Sequence, residues 1–291
     1  MQVLSWESFT ALPPSFVALG YFDGGHIGHR ALLEKTVAAA RAEGFSATIF
    51  SFDALPTKGD ALLSTKEARL AFFEEMGIDF AVLAPFAAVR GLSPQEFVKD
   101  VLQKGCSAQK AFCGFNYRFG AGASGDAALL CKLLPGSEVL PPTLYEGEAV
   151  SATRVRAALL AGDIPLANAM LGTPYSVSGV VSHGKGLGGT LGFPTANIAP
   201  ATLLPRFGVY RTRVTVGGRI YDALTDVGIR PTAEGRGEAR TETFLRNFEG
   251  NLYGESISVS FLRFLREERR FDSLDALKAQ ISLDMKTLCE D

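Results

Sequence analysis

No run of eighteen consecutive apolar residues occurs in the chain, so no segment reads as a membrane-spanning helix. An excess of one charge is missing too. Against 31 acidic residues stand 29 basic ones, a net charge of -2, which leaves no global field to attract nucleic acid or an anionic membrane. Cysteine is sparse: Cys106, Cys113, Cys131 and Cys289 form neither a Cys-x-x-Cys pair nor the dense spacing of a disulfide framework, and isolated reduced thiols are expected. The opening residues lack the basic, apolar and small-residue succession of a secretory leader, so a cytoplasmic location is expected. Histidine occurs three times only, at 26, 29 and 183, each time among glycines and never in an apolar periodic stretch. That placement suits chemistry better than packing.

What remains is an ordinary globular composition, 47% hydrophobic and 21% charged over 291 residues. At roughly 100–200 residues per domain, this length favours two cores. In the first half, short apolar runs (FVALG at 16–20, ATIFSF at 47–52, FAVLAP at 80–85, AFCGF at 111–115) alternate with segments of helical period. Such alternation predicts a parallel sheet flanked by helices. Ser93 and Pro94 precede Phe97, Val98, Val101 and Leu102 at helical spacing, a helix start with serine as cap and proline at the first position. Open sheets of this kind bind ligands at the carboxyl ends of their strands, which directs attention to the loop after Gly20.

From about Tyr175 the pattern becomes one of alternating segments, two of them joined at Gly217-Gly218, a hairpin signal. A small antiparallel β-barrel or curled sheet is expected there. An amphipathic stretch with Leu274, Leu277, Ile281 and Leu283, capped by Asp272 or Ser273, predicts a closing helix. Between the halves, two short helices broken at Gly162-Asp163 lead to a boundary near Gly172, dividing the chain into 1–172 and 173–291.

The first candidate site is Gly20-Tyr-Phe-Asp-Gly-Gly-His-Ile-Gly-His29, between a predicted strand and a predicted helix. His26 and His29, three apart, share one face of the first helical turn beside N–H groups that lack intrahelical partners. Glycines at 24, 25 and 28 let backbone approach a phosphate, and two imidazoles can donate to charge on a transferring phosphoryl group. A lone histidine at a helix start is usually a cap or a surface residue; two in one glycine-rich turn argue otherwise. Zinc is the rival reading, but two histidines with only Asp23 nearby make a weak ligand set.

The second is the glycine-rich run from Gly179 to Asn197. It contains formal matches to a dinucleotide fingerprint and nearly to a P-loop, yet Gly192-Phe193-Pro194 follows where either would need a helix. What survives is a loop rich in N–H groups leading to Thr195 and Asn197, whose oxygens could hold a hard cation against phosphates. A carboxylate is still needed to take a proton from an attacking hydroxyl, and pattern alone does not choose among the glutamates.

His26-Ile27-Gly28-His29 has the HIGH form of nucleotidyltransferases, and GFNYRFG at 114–120, Gly125-Asp126 and SATRVR at 151–156 follow in order. With GFPTAN at 192–197, PRFGVY at 205–210, DVGIRPT at 226–232 and TETFLRNFEGNLYG at 241–254, nearly the whole chain resembles the bacterial bifunctional riboflavin kinase/FMN adenylyltransferase (FAD synthetase) family. The resemblance implies an α/β nucleotidyltransferase domain with a Rossmann-like parallel sheet, then a riboflavin kinase barrel with a terminal helix. It implies riboflavin, FMN and ATP as substrates and Mg²⁺ as cofactor; from the charge balance neither nucleic acid nor membrane is expected as partner, and the oligomeric state is left open. It assigns His26 and His29 to stabilising the transferring adenylyl group, and Gly20, Phe22, Asp23, Gly24, Gly28, Asn116, Ser151, Thr153 and Arg156 to ATP or flavin. In the second half it assigns Gly184, Lys185 and Gly186 to nucleotide, Thr195 and Asn197 to Mg²⁺ and phosphates, and Glu242 to the catalytic base.

In the first half three positions depart from the family pattern: Tyr21 stands where asparagine is usual, Leu55 where histidine is usual, and Ala152 where a second serine is usual. Each loses a polar group. A hydrogen bond to a charged phosphate is worth roughly 1.5–3 kcal/mol, so the expectation is a weakened transferase beside a firmer kinase, whose glycine-rich loop has Leu187 and Gly189 where arginine is usual and keeps Lys185 as its only cation, at a cost in nucleotide affinity. A silent first domain, or a flavin-binding protein without turnover, are the alternatives. Glu242 argues against the second, since binding alone would not require it.

Overall fold

The structure is a computed structural model that describes residues 1–8, 11–54, 61–182, 195–230, 238–269 and 271–289. The chain forms two compact units, Met1–Ala152 and Thr153–Asp291.

The first unit is built on six parallel strands: β1 (Gln2–Ser5), β2 (Ser15–Leu19), β3 (Ser46–Phe52), β4 (Phe80–Ala84), β5 (Ala108–Gly114) and β6 (Glu138–Leu140), in the spatial order β1-β4-β3-β2-β5-β6. β2 is buried along its whole length because it carries apolar side chains on both faces. Phe16 and Ala18 join one core, with Leu32 and Leu33 of helix α1 (Ile27–Glu43) and Phe73 of α2 (Lys66–Glu75). Val17 and Leu19 join the other, with Phe97, Val101 and Leu102 of helix α3, which begins at Pro94–Glu96 and runs on through Phe97–Gly105. Near-continuous hydrophobic runs are the signature of strands covered on both sides. Strand order reverses between β2 and β5, so the chain leaves these neighbours in opposite directions and opens a crevice at their carboxyl ends. The Ser93 cap forms as expected: its Oγ accepts from Glu96 N at 3.2 Å while Glu96 Oε2 accepts from Ser93 N at 2.8 Å. Burial pushes the Cys106 and Cys113 thiols up to about 12, which makes them inert core residues.

The second unit opens with helices α5 (Ala152–Ala161) and α6 (Ile164–Leu171), the shorter α4 (Ala127–Leu133) belonging to the first unit. Six antiparallel strands follow: β7 (Ser176–Val180), β8 (Thr195–Ile198), β9 (Gly208–Val216), β10 (Arg219–Arg230), β11 (Glu238–Leu245) and β12 (Ser256–Arg266), ordered β7-β12-β9-β10-β11-β8. The two edges of this curled sheet are linked by a bridge between Ser182 and Asn197, which closes a small barrel. Gly217 and Gly218, at φ 55° and 76°, make the tight β9–β10 turn that positive φ at both positions requires. Inside, Thr212, Thr225 and Thr243 join hydroxyls across three strands at 2.8 and 3.0 Å, so the buried polar groups satisfy one another. Helix α7 (Leu274–Lys286) closes the chain with Ser273 as cap, accepting from Ala276 N at 3.2 Å.

Candidate functional sites

Beyond β2 the backbone turns sharply at Gly20. Phe22 takes φ 57°, a left-handed conformation unusual for an aromatic residue, and its fully buried ring is held by Phe73 and His29 at centroid separations of 5.6 and 5.1 Å. The turn is clamped from outside: the Asp23 carboxylate accepts from the N–H groups of Leu63 and Ser64 and from the Ser64 hydroxyl, while Ser64 Oγ accepts from Gly24 N at 2.9 Å. Asp23 is thus committed to shaping the turn.

His26 caps α1. Its Nδ1 accepts from His29 N at 3.3 Å, which leaves the ring proton on Nε2 as a donor. The two imidazoles stack, centroids 3.6 Å apart and planes 15° from parallel. A β-carbon on Gly28 would lie 3.2 Å from the His26 ring, so glycine there makes the stack possible. Burial drives the His26 imidazolium down to about 4, and burial together with the charge of His26 holds His29 well below its ordinary value. Both rings are therefore neutral at pH 7 and act as hydrogen-bond donors. His29 Nδ1 is buried with no partner among the described residues. His26 Nδ1 is engaged by His29 N and the Asp23 carboxylate by backbone amides, so these atoms are not turned toward a shared zinc. Among the described residues no group of three His, Cys, Asp or Glu could hold a metal.

A cavity of about 390 Å³ opens at the same end of the sheet. It is walled by Tyr21, Phe50, Phe52, Phe86, Tyr117 and Phe119, with Arg90 and Arg118 beside them. Tyr21 meets Phe52 edge-on at 5.3 Å, Phe52 meets Phe86 at 5.4 Å, and Tyr117 stacks on Phe119 at 5.7 Å. The sequence did not disclose this cavity, because each aromatic reads singly as core. Tyr21, expected only as the loss of a polar group, contributes a half-exposed ring to the wall.

Gly20 lines the cavity, and Asn116 lies just past the end of β5, exposed. Ser151 precedes α5, and Thr153 and Arg156 stand in its first turns, where the chain passes from the first unit to the second. Leu55 lies outside the described residues.

In the second unit Asn197 on β8 faces Glu242 on β11, and Glu242 faces Asp226 on β10. Three adjacent strands thus carry an amide and two carboxylates in one transverse row. Thr243, next to Glu242, points into the barrel, so by strand alternation Glu242 points outward, where it is exposed. Thr195 is two residues before Asn197 and shares its face. Asn197 is 3% exposed, and its Oδ1 has no hydrogen-bond partner among the described residues. A buried acceptor without a donor, beside a threonine and a carboxylate, is an all-oxygen set that suits a hard cation. Asp226 is pushed up to about 7 by burial and by Glu268 and Glu242, with Arg266 opposing. Arg266 is already engaged by Asp284, at 2.8 and 3.0 Å. Gly184, Lys185 and Gly186 lie outside the described residues, as does His183.

The family model described as FAD synthetase matches residues 9–154, and that described as riboflavin kinase matches residues 171–290. The bifunctional riboflavin kinase/FMN adenylyltransferase of Escherichia coli K12 is 34% identical, covering 94% of this chain and 91% of its own; that of Pseudomonas fluorescens is 35% identical, covering 92% and 89%. A crystal structure described as a macrolide-efflux protein of Streptococcus pneumoniae, 30% identical, superposes with a TM-score of 0.91 over 100% of both chains. No helix among the described residues is long and apolar enough to cross a membrane. With both halves matched in order and the relatives covered almost end to end, the chain belongs to the bifunctional riboflavin kinase/FMN adenylyltransferase family.

Proposed function

We propose a division of labour in which residues 173–291 phosphorylate riboflavin to FMN and residues 1–172 adenylylate FMN to FAD, each with ATP. The observation that carries it is the pairing of two differently built phosphate sites in one chain: a neutral His26–His29 stack at a strand end, and an Asn197–Glu242 pair across two strands.

In adenylyl transfer an FMN phosphate oxygen attacks the α-phosphorus of ATP, the bond to the β-phosphate oxygen breaks, and pyrophosphate leaves. Charge grows on the transferring group and on the leaving oxygen, and no covalent enzyme intermediate is required. His26 Nε2–H and the His29 ring donate to that charge, together with the N–H groups of Ile27 and Gly28, which precede the first hydrogen bonds of α1. Neutral donors keep working throughout the neutral pH range. The flat aromatic face of the flavin ring seats in the aromatic cavity, whose volume is in the usual range for such sites, and Arg90 and Arg118 supply positive charge for its phosphate. Gly20, Phe22, Gly24 and Gly28 shape the nucleotide's seat, Asp23 acts through the turn it clamps, and Asn116, Ser151, Thr153 and Arg156 are assigned to nucleotide and phosphate contacts.

In the kinase reaction Glu242 takes the proton of the riboflavin 5′-hydroxyl as its oxygen attacks the γ-phosphorus and ADP departs. Its exposure on the outer face of the barrel gives a substrate access to it. Thr195 and Asn197 would hold Mg²⁺, which when bound neutralises phosphate charge. Lys185, with Gly184 and Gly186, is assigned to the nucleotide phosphates.

The test is a timed chromatographic assay of purified protein with riboflavin, ATP and Mg²⁺, with a parallel reaction started from FMN. FMN appearing first and FAD second is the expected course. FMN without FAD, even from supplied FMN, would leave the first unit a binding domain.

A further inference from the structure

Arg69, in the first turns of α2, is 3% exposed. An apolar side chain would pack there without the cost of desolvating a guanidinium, so its value lies in what it touches. Nη1 donates to the carbonyl of Phe52 at 3.1 Å and to the hydroxyl of Ser51 at 3.5 Å, and Nη2 donates to the carbonyl of Asp53 at 3.2 Å. The Ser51 hydroxyl in turn donates to the carbonyl of Tyr21 at 3.4 Å. One side chain therefore ties the end of β3 to the residue that follows Gly20. Phe52 and Tyr21 are two walls of the aromatic cavity and meet edge to face. The carboxylates of Asp23 and Asp53 both attract the guanidinium and oppose the effect of its burial. Asp23 is the clamp on the His26 turn.

We infer that Arg69 is a positioning residue for adenylyl transfer, holding the cavity walls Tyr21 and Phe52 and the Asp23-clamped histidine turn in fixed relation. The inference deepens the adenylyltransferase reading of the first unit and rests on it. It separates polar bracing from packing: methionine fills a similar volume without donors or charge, while lysine keeps the charge and at least one of the donated bonds.

The experiment uses the full chain as Arg69→Met and Arg69→Lys, measuring KM for FMN, KM for ATP and kcat of FAD formation. Riboflavin kinase activity in the same preparations normalises for the amount of enzyme, and circular dichroism with thermal unfolding reports that the first unit has folded. Arg69→Met is expected to raise the KM for FMN about tenfold while kcat stays within about threefold, since the loss falls on ground-state seating. Arg69→Lys should return that KM to within about threefold of the original. If Arg69→Met lowers the yield of folded protein, Ser51→Ala removes the relay to Tyr21 alone and is expected to raise the same KM about threefold. An unchanged KM for FMN in Arg69→Met, or in Ser51→Ala where that variant stands in, overturns the inference, as does failure of lysine to restore it. Absence of FAD formation by the unaltered protein would instead remove the reading beneath it.

Discussion

The rings of His26 and His29 lie face to face, 3.6 Å apart and 15° from parallel, with neither able to keep a proton beyond its neutral complement at pH 7. Burial is the larger cause for both, and for His29 the charge of its partner adds to it. A stacked pair cannot share two positive charges in a site with little solvent.

This predicts that the two imidazoles do not titrate across the range where histidine usually does. Nitrogen-detected NMR of the ring resonances between pH 8 and 5.5 should show His26 and His29 unchanged. A midpoint near 6.5 for either would mean a site that works through positive charge. For stability the sign follows from the depressed folded-state value: the unfolded chain binds protons that the folded chain refuses between about 6.5 and 4. Stability of the first unit is thus expected to hold above pH 6.5 and to fall as pH drops toward 4. In activity, His29→Ala should lower FAD formation by about 10²–10³-fold, the range for loss of a preorganised donor, and leave FMN formation intact.

Gly28 gives a steric counterpart. Its added methyl would approach the His26 ring to 3.2 Å at Cε1 and 3.3 Å at Nδ1, the nitrogen that caps α1. Gly28→Ala should depress FAD formation, because the ring must move from its cap position, and the gain of about 0.5–1 kcal/mol in helix propensity is offset by the weakened cap. A variant more stable and equally active would show that the stack is incidental.

How much of this is legible from residues alone depends on how local each feature is. The Ser93 cap, the Gly217-Gly218 turn and the His26–His29 pair each depend on neighbours within a few positions, and all are found where the pattern puts them. The edge strands β1 and β6 escape the pattern, having too few residues to show a period. The residues of β8 follow a proline and read locally as a turn, and only their pairing with β11 makes a strand of them. The row Asn197–Glu242–Asp226 is a matter of register between strands, which no spacing in the chain encodes. The aromatic cavity draws its walls from the ends of several strands, and each ring is by itself an ordinary core residue. Resemblance to the family supplies Glu242; it does not supply Asp226 or Arg69.

Separate sites predict separable losses. Glu242→Gln keeps the size and removes the base, so FMN formation should fall by about 10²–10⁴-fold, the usual weight of a general base. FAD formation from supplied FMN should be unaffected. Chromatography of the two products from parallel reactions reads both at once, and loss of both from this one substitution would contradict two independent sites.

The Asp226 carboxyl is raised from 3.8 to about 7 by burial first, then by Glu268 and Glu242, with Arg266 pulling the other way. Space for this crowding comes from Gly228, where the Glu268 carboxylate occupies the position a β-carbon would take. Because the folded-state value is raised, the folded chain holds a proton between about pH 4 and 7 that the unfolded chain has released. Stability of the barrel therefore falls as pH rises through that window, and the full cost is present above about 7. Asp226→Asn removes the charge and keeps the shape. It should be neutral to slightly destabilising at pH 4.5 and stabilising at pH 8 by about 1–4 kcal/mol, since each tenfold change in proton affinity is worth roughly 1.36 kcal/mol. Thermal or urea unfolding of the kinase transition at the two pH values measures the difference directly. An equal effect at both would mean that Asp226 stays ionised in the fold, its charge met by Arg266 in spite of the competing bonds to Asp284.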